Sequence, residues 1–286
     1  HPALELRQNS TNLGVFEHLK LVVSEARNDL VIIGSGDDLC SDTKISKILA
    51  SWAYSPFLVM GCNPLIINDC GLEIGRFHSS KTKISYDWHS IIDRNSADLF
   101  IVAFHRSLLN SLDDLNSTVI AEDQFLAFRA ALNDTSHSPV AYVEDSLVSY
   151  RVHDGSLVSS YRLNSRAGSV VNTFVEKLRV KKSVCLAWHE ELLLSGKAVS
   201  CPIMTGKYLR TLLDRVFWYD VFIDITEATC FSERVKIYLQ SATNQLRISK
   251  LFFLIPFVFS PKSFLLIGSW LYMKTKKGNT YRRGGD

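Results

Sequence analysis

Two adjacent acids, Asp37 and Asp38, follow the apolar run Leu30–Ile33 by way of a flexible Gly34-Ser35-Gly36. Open α/β sheets bind ligands in the crevice outside their strand ends, the place this loop would occupy. Carboxylate oxygens there suit a hard divalent cation such as Mg²⁺ or Mn²⁺, and a cation held by one or two of them also grips a diphosphate. The same acids serve equally well as the N-cap of a following helix. Glu122 and Asp123 open a second helical pattern. Carboxylates favour a helix N-terminus, and adjacent helical residues point about 100° apart, so the two acids cannot face one partner equally. Arg151 carries a fork of donors that matches phosphate, or in a purely structural role a nearby carboxylate.

These residues need elements to hold them. Phe16, Leu19, Val22, Val23 and Ala26 recur at helical spacing, with Asn12 as a cap, and predict an amphipathic helix between Gly14 and Ala26. Leu30–Ile33 then reads as a strand buried on both faces, as in a parallel sheet. After the acidic loop, Asp42 or Thr43 caps a helix carrying Ile45, Ile48, Leu49 and Trp52. Phe57–Met60 and Leu65–Ile67 are short apolar runs, and Asn68-Asp69-Cys70-Gly71 before Leu72 predicts the turn of a small hairpin. Leu99–Phe104 predicts a buried strand, and Pro139–Val143 a last short one. Between them Glu122–Leu132 predicts a helix whose apolar side is Phe125, Leu126, Phe128 and Ala131. Helix, strand, acidic loop, helix is α/β order. Beyond Ser160 the pattern turns to long helices without strands, which sets a boundary near there.

Composition narrows the class. The 286 residues are 47% apolar, enough for one large or two modest cores. A balance of 32 basic against 29 acidic residues gives no global field that singles out nucleic acid, so none is expected as a partner. Cys40, Cys62, Cys70, Cys185, Cys201 and Cys230 show no paired spacing and read as reduced thiols. Trp88, Trp188 and Trp218 read as core or interface residues, with stacking on sugar rings as the alternative. Leu251–Met273 is strongly apolar and is followed by Lys274, Lys276, Lys277, Arg282 and Arg283. Pro256, Pro261 and Lys262 interrupt it, so it reads as a hairpin lying on an anionic membrane surface, or as a buried helix pair closing the core.

Several stretches, taken in order, resemble the middle of family 2 glycosyltransferases, nucleotide-sugar transferases of the GT-A type. Asn12-Leu13-Gly14, the segment Ala26 to Ile33, and Ser35-Gly36-Asp37-Asp38 are similar to the family's Asn-x-Gly loop, its helix ending and strand, and its acidic metal motif. Ala121-Glu122-Asp123 is similar to its Glu-Asp element. Tyr150-Arg151-Val152-His153, with Ser156 and Ser159, is similar to its Tyr-Arg-x-His loop. The resemblance covers roughly residues 5 to 160, and its strength lies in the ordered set. Ser35 stands where many members carry a first acid. The family's opening strand, helix and second strand have no counterpart before Leu4, so the chain is expected to be a piece of a longer enzyme.

The resemblance implies a mostly parallel sheet flanked by helices over residues 1–160, N-terminally truncated, then a helical region over 161–250 and a membrane-associated tail over 251–286. It implies that Asp37, Asp38 and His153 hold Mg²⁺ or Mn²⁺, that Arg151, Ser156 and Gly36 meet the donor diphosphate, and that Asp123 is the base, with Glu122 its neighbour and rival. Asp37, Asp123 and His153 are then expected to converge on one cleft. The reaction implied is inverting transfer of a sugar from a nucleotide-sugar donor to a hydroxyl of a saccharide or lipid-linked saccharide, in surface polysaccharide or glycolipid synthesis. It places the enzyme in the cytoplasm, on the inner face of the cell membrane. A viral RNA-dependent polymerase also uses an apolar strand leading to Gly-Asp-Asp, but it needs a second metal-binding aspartate well upstream, and only Glu5, acids within a helical pattern and the near neighbour Asp29 precede Asp37. The remaining alternative is a non-enzymatic, membrane-associated interaction module.

Overall fold

The computed structural model describes residues 6, 8–77, 86–97, 99–109, 121–133, 139–153, 167–195, 202–228 and 230–244. The boundary near Ser160, Ser156, Ser159, Cys201 and the whole tail from Leu251 lie outside them. Chain order among the described residues is α1 (Val15–Glu25), β1 (Leu30–Ile32), β2 (Leu39–Cys40), α2 (Lys44–Tyr54), β3 (Val59–Cys62), β4 (Leu65–Ile67), β5 (Glu73–Arg76), α3 (Trp88–Arg94), β6 (Phe100–His105), a 3₁₀ turn (Arg106–Leu109), α4 (Glu122–Leu132), β7 (Val140–Val143), β8 (Val148–Arg151), α5 (Ala167–Leu194), α6 (Pro202–Glu227) and α7 (Phe231–Asn244).

The chain is mixed α/β. Where a mostly parallel sheet was expected, the strands form two small mixed sheets, one ordered β1-β6-β3-β7 and the other β2-β8-β4-β5. In the first, β6 runs antiparallel to both β1 and β3, while β3 and β7 pair in parallel. Hence β1, β3 and β7 share one direction and end together. In the second, β8 is antiparallel to β2 and parallel to β4, and β4 and β5 form the predicted hairpin around Asn68–Gly71. Gly71 takes φ +79° in that turn, a left-handed conformation that costs glycine nothing.

Helices cover both faces of the first sheet. Val31 and Ile33 pack against the cluster that contains Phe16 and Val23 of α1 and Phe125 and Phe128 of α4, whereas Leu30 and Ile32, like Trp52 of α2, pack against the one that contains Ile48 of α2. This explains the unbroken apolar run of β1. Its side chains meet a helical layer on either side, yet the strand is half-buried and stands at an edge, paired antiparallel rather than embedded among parallel neighbours. The helices on its two faces leave Val15, Val22, Ile45 and Leu49 exposed, so two of the four apolar residues expected to seat α2 face outward. At the centre of the sheet, Gly61 sits at a register shift in β3, where a Cβ would lie 2.1 Å from Leu99 Cδ1.

The helical region shares a core with the sheet. Val184, Cys185, Trp188 and Leu192 of α5 and Tyr208 and Leu212 of α6 belong to the same buried cluster as α4. Trp88, Trp188 and Trp218 are all buried, as core residues. Arg215 of α6 donates to the carbonyl of Ile92, and Lys181 of α5 donates to the carbonyl of Asn95 at 2.6 Å, so both helices satisfy acceptors at the C-terminal end of α3. Among the described residues no helix is long and apolar enough to cross a membrane.

Candidate functional site

The acidic loop joins the two sheets, leaving β1 of the first and entering β2 of the second within six residues, 33–38. It is held from both sides. Lys44, in the first turn of α2, is buried and donates its Nζ to the carbonyl of Ile33. Sequence reasoning did not single out Lys44; a lysine at a helix N-terminus opposes the helix dipole, and that oddity is a signal by which it could have been found. On the other side, Arg151 at the end of β8 donates its backbone N–H to Asp38 Oδ1 at 2.9 Å and its Nε to the Asp37 carbonyl at 2.8 Å. His153 Nε2 lies 3.2 Å from Asp37 Oδ2. Residues more than a hundred positions apart in the chain thus meet at one loop.

The expected Tyr-Arg-x-His loop is a strand through Arg151, and the Val152 N–H continues the ladder to the Ile67 carbonyl at 2.9 Å. Parallel register sets Arg151 beside Ile67. From there its Nη1 reaches the carbonyls of Asn68 at 3.1 Å and Asp69 at 2.8 Å. The guanidinium therefore clasps three backbone carbonyls, from the acidic loop and from the hairpin turn. Burial pushes the Asp38 carboxyl above its ordinary range, partly offset by the Arg151 N–H, while the neighbouring Asp37 charge pushes the same way as burial. The Asp37 side chain is 48% exposed and that of His153 35%. A Cβ on Gly36 would meet nothing within 4 Å, so the loop backbone borders open space.

Glu122 and Asp123 stand in the first turn of α4, as expected, on a different element. Their end of the helix lies toward the terminating ends of β1, β3 and β7. The Ala97 N–H donates to Gln124 Oε1 at 2.7 Å, and Ala97 leads into β6, whose first residue Phe100 pairs with Cys62 at the end of β3. The acidic loop leaves the same end. Among the described residues no group of three or more His, Cys, Asp or Glu side chains is arranged to hold a metal ion. Asp37 and His153 face one another, while Asp38 turns one oxygen to the Arg151 N–H.

Both acids of α4 are raised. Burial, then the Asp123 charge, pushes Glu122 up to about 7 from an ordinary 4.5. Asp123 is pushed up by burial as well, against hydrogen bonds from Gln124 and the positive charge of Lys181. The folded state therefore holds its Glu122 proton more tightly than the unfolded chain does. The stability this contributes is complete below pH 4.5 and is lost as pH rises through about 7. Glu122→Gln should flatten that dependence, and at pH 8 should be the more stable protein by up to about 3 kcal/mol. Urea unfolding at pH 5 and pH 8 measures it; equal pH dependence in both proteins would contradict the shift. Cys40, Cys62, Cys70, Cys185 and Cys230 are free thiols.

Compared with known proteins, the chain matches no protein-family model and no curated protein.

Proposed function

We propose that the chain acts as a glycosyltransferase of the GT-A type, transferring a sugar with inversion from a nucleotide-sugar donor to an acceptor hydroxyl. The observation that carries the reading is the meeting of Asp37, Asp38, Arg151 and His153 at the loop between the two sheets. Two stretches matched to the family by order alone, far apart in the chain, are joined by specific hydrogen bonds. Asp37 and His153 would hold the divalent cation. A carboxylate and an imidazole are too few for a closed cage but fit an ion that arrives with a diphosphate and keeps water as well. Such a cation neutralises charge on the departing diphosphate. Arg151 acts by holding the acidic loop to the hairpin turn, Gly36 keeps the loop backbone accessible, and Asp123, aided or rivalled by Glu122, takes the acceptor proton. The acceptor is a saccharide or lipid-linked saccharide, and the chain works at the cytoplasmic face of a membrane with its basic tail on the lipid.

Titration of the chain with a panel of nucleotide diphosphate sugars, with Mn²⁺ and with chelator, tests the reading. Binding of one of them should require the ion and be lost in Asp37→Ala. Binding that ignores both would overturn it. A panel in which no donor binds would favour the second reading, a non-enzymatic interaction module, which the place of β1 at the end of its sheet among the described residues and the exposed Val22 and Ile45 on its covering helices support.

A further inference from the structure

We propose that the start of α6 and the end of α5 form a surface that sits on an anionic lipid membrane, through residues other than the basic tail. The proposal goes beyond the glycosyltransferase reading and does not depend on it. One face of α6 is fixed to the rest of the chain. Thr205, Tyr208 and Leu212 are buried at helical spacing, Tyr208 donates its hydroxyl to Asp93 Oδ2 at 3.3 Å, and Arg215 donates to the Ile92 carbonyl. That anchoring decides which residues point away. Ile203, Lys207 and Arg210 follow at steps of four and three, so they share the side opposite the anchors, and all three are exposed. Met204 and Leu213 flank them and are exposed as well, and Ile203 keeps 91% of its surface in solvent. The pairs Arg179 with Glu227 and Lys182 with Asp220 set α5 and α6 antiparallel. The end of α5, with Leu193 and Leu194 exposed, therefore comes up beside α6 near Arg210, and the first turns of α6 reach past it. Single exposed leucines are ordinary, whereas five large apolar residues at one end of a helix pair form a patch.

Charge selects the partner. Between Glu191 and Asp214 the sequence has no acid, and the nearest ones, Glu190, Glu191 and Asp214, lie about a turn back from Leu194 or Arg210. Glu191 is also buried beside Arg129. The exposed apolar residues of α1, Val15, Leu21 and Val22, share their helix with Glu17 and Glu25 and offer no such match. A second copy of the chain fits less well, because a two-fold contact through this face would set Lys207 and Arg210 against themselves. Depth agrees too. At about 1.5 Å per residue, Lys207 stands about 6 Å behind Ile203 along the helix and Arg210 about 10 Å behind. An interfacial helix sits about 5–10 Å into the boundary between headgroups and acyl chains, so Ile203 and Met204 would reach the acyl chains while the two bases stay at the level of the phosphates.

Methyl NMR of the whole chain on lipid nanodiscs tests this, with discs of phosphatidylcholine alone or mixed with phosphatidylserine and a nitroxide-bearing lipid as the broadening agent. The Ile203 and Met204 methyls should broaden on the mixed discs, well ahead of the core methyls of Ile48 and Ile91. Flotation with vesicles of the same two compositions gives the affinity. The double variant Lys207→Gln, Arg210→Gln should partition onto the anionic vesicles about 10- to 30-fold less than the native chain, the weight of two bases near such a surface. Ile203→Asn should weaken attachment at low and high salt alike. Unbroadened Ile203 and Met204 methyls would overturn the proposal, even if the chain floats, because attachment would then run through the tail or another surface. A dimer seen by sedimentation velocity and lost in Ile203→Asn, without lipid broadening, would overturn it in favour of contact between copies. Where flotation and broadening disagree, or a variant fails to fold, the broadening in the native chain decides. Failure of the glycosyltransferase reading would show separately, as absent donor binding with the lipid contact intact.

Discussion

Asp123→Asn is expected to leave donor affinity nearly unchanged and to lower turnover by about 10²-fold or more, the usual loss when a positioned base is removed. Asparagine is close to aspartate in shape, and its side-chain oxygen still accepts from the Gln124 N–H, so the first turn of α4 keeps its geometry. Asp37→Ala should do the reverse in binding, weakening donor affinity in the presence of Mn²⁺, because Asp37 belongs to the loop joined to His153 and Arg151 and not to α4. Calorimetry with the donor and steady-state rates, measured on both variants, separate the two. Loss of donor affinity in both would merge the sites and refute the division of roles. Glu122→Gln is the control within the pair: if it alone lost turnover while Asp123→Asn did not, Glu122 would be the base, a place its value near 7 suits.

How far the site could be read in advance differs from residue to residue. The helices were legible wherever one face was apolar: Phe16 and Val23 are buried on α1, and Phe125, Leu126, Phe128 and Ala131 on α4. The hairpin was legible because Asn68 and Gly71 have turn chemistry of their own, with Asn68 Oδ1 accepting from the Leu72 N–H. The pairing of β1 was not. An apolar run of β-branched residues reports that both faces are covered, and here helices cover them; it carries no information about strand direction. Nor was the task of Arg151 legible. Its partners are backbone carbonyls at Asp37, Asn68 and Asp69, and a carbonyl has no residue type by which to recognise it. The short strand β8 escaped for a similar reason, since Val148–Arg151 is held by register with β2 and β4 more than by its own alternation.

Whether the helical region is a domain of its own or the outer layer of the first one comes down to Trp188. It is fully buried, its ring stacks on Phe128 with centroids 5.1 Å apart, and its Nε1 bonds the Gln124 carbonyl. Trp188→Ala removes the stack, the hydrogen bond and the volume together, and should cost about 3–5 kcal/mol, a large share of the roughly 5–15 kcal/mol that holds a domain folded. Trp188→Phe keeps most of the ring contact and removes only the side-chain donor to the Gln124 carbonyl, which the helix itself also satisfies, for about 0.5–1.5 kcal/mol. Denaturant unfolding followed by far-UV circular dichroism and by tryptophan fluorescence reads both values. With one shared core, the two probes should shift together and by the full amount in Trp188→Ala. A separate helical domain would instead lose its helices in an earlier transition while the sheet unfolded at its native midpoint, and Asp123 would then keep its environment when α5 melted. The two outcomes differ most in the variant that removes the whole side chain, because only a shared core transmits the cavity at Trp188 to Phe128 and from there to the sheet.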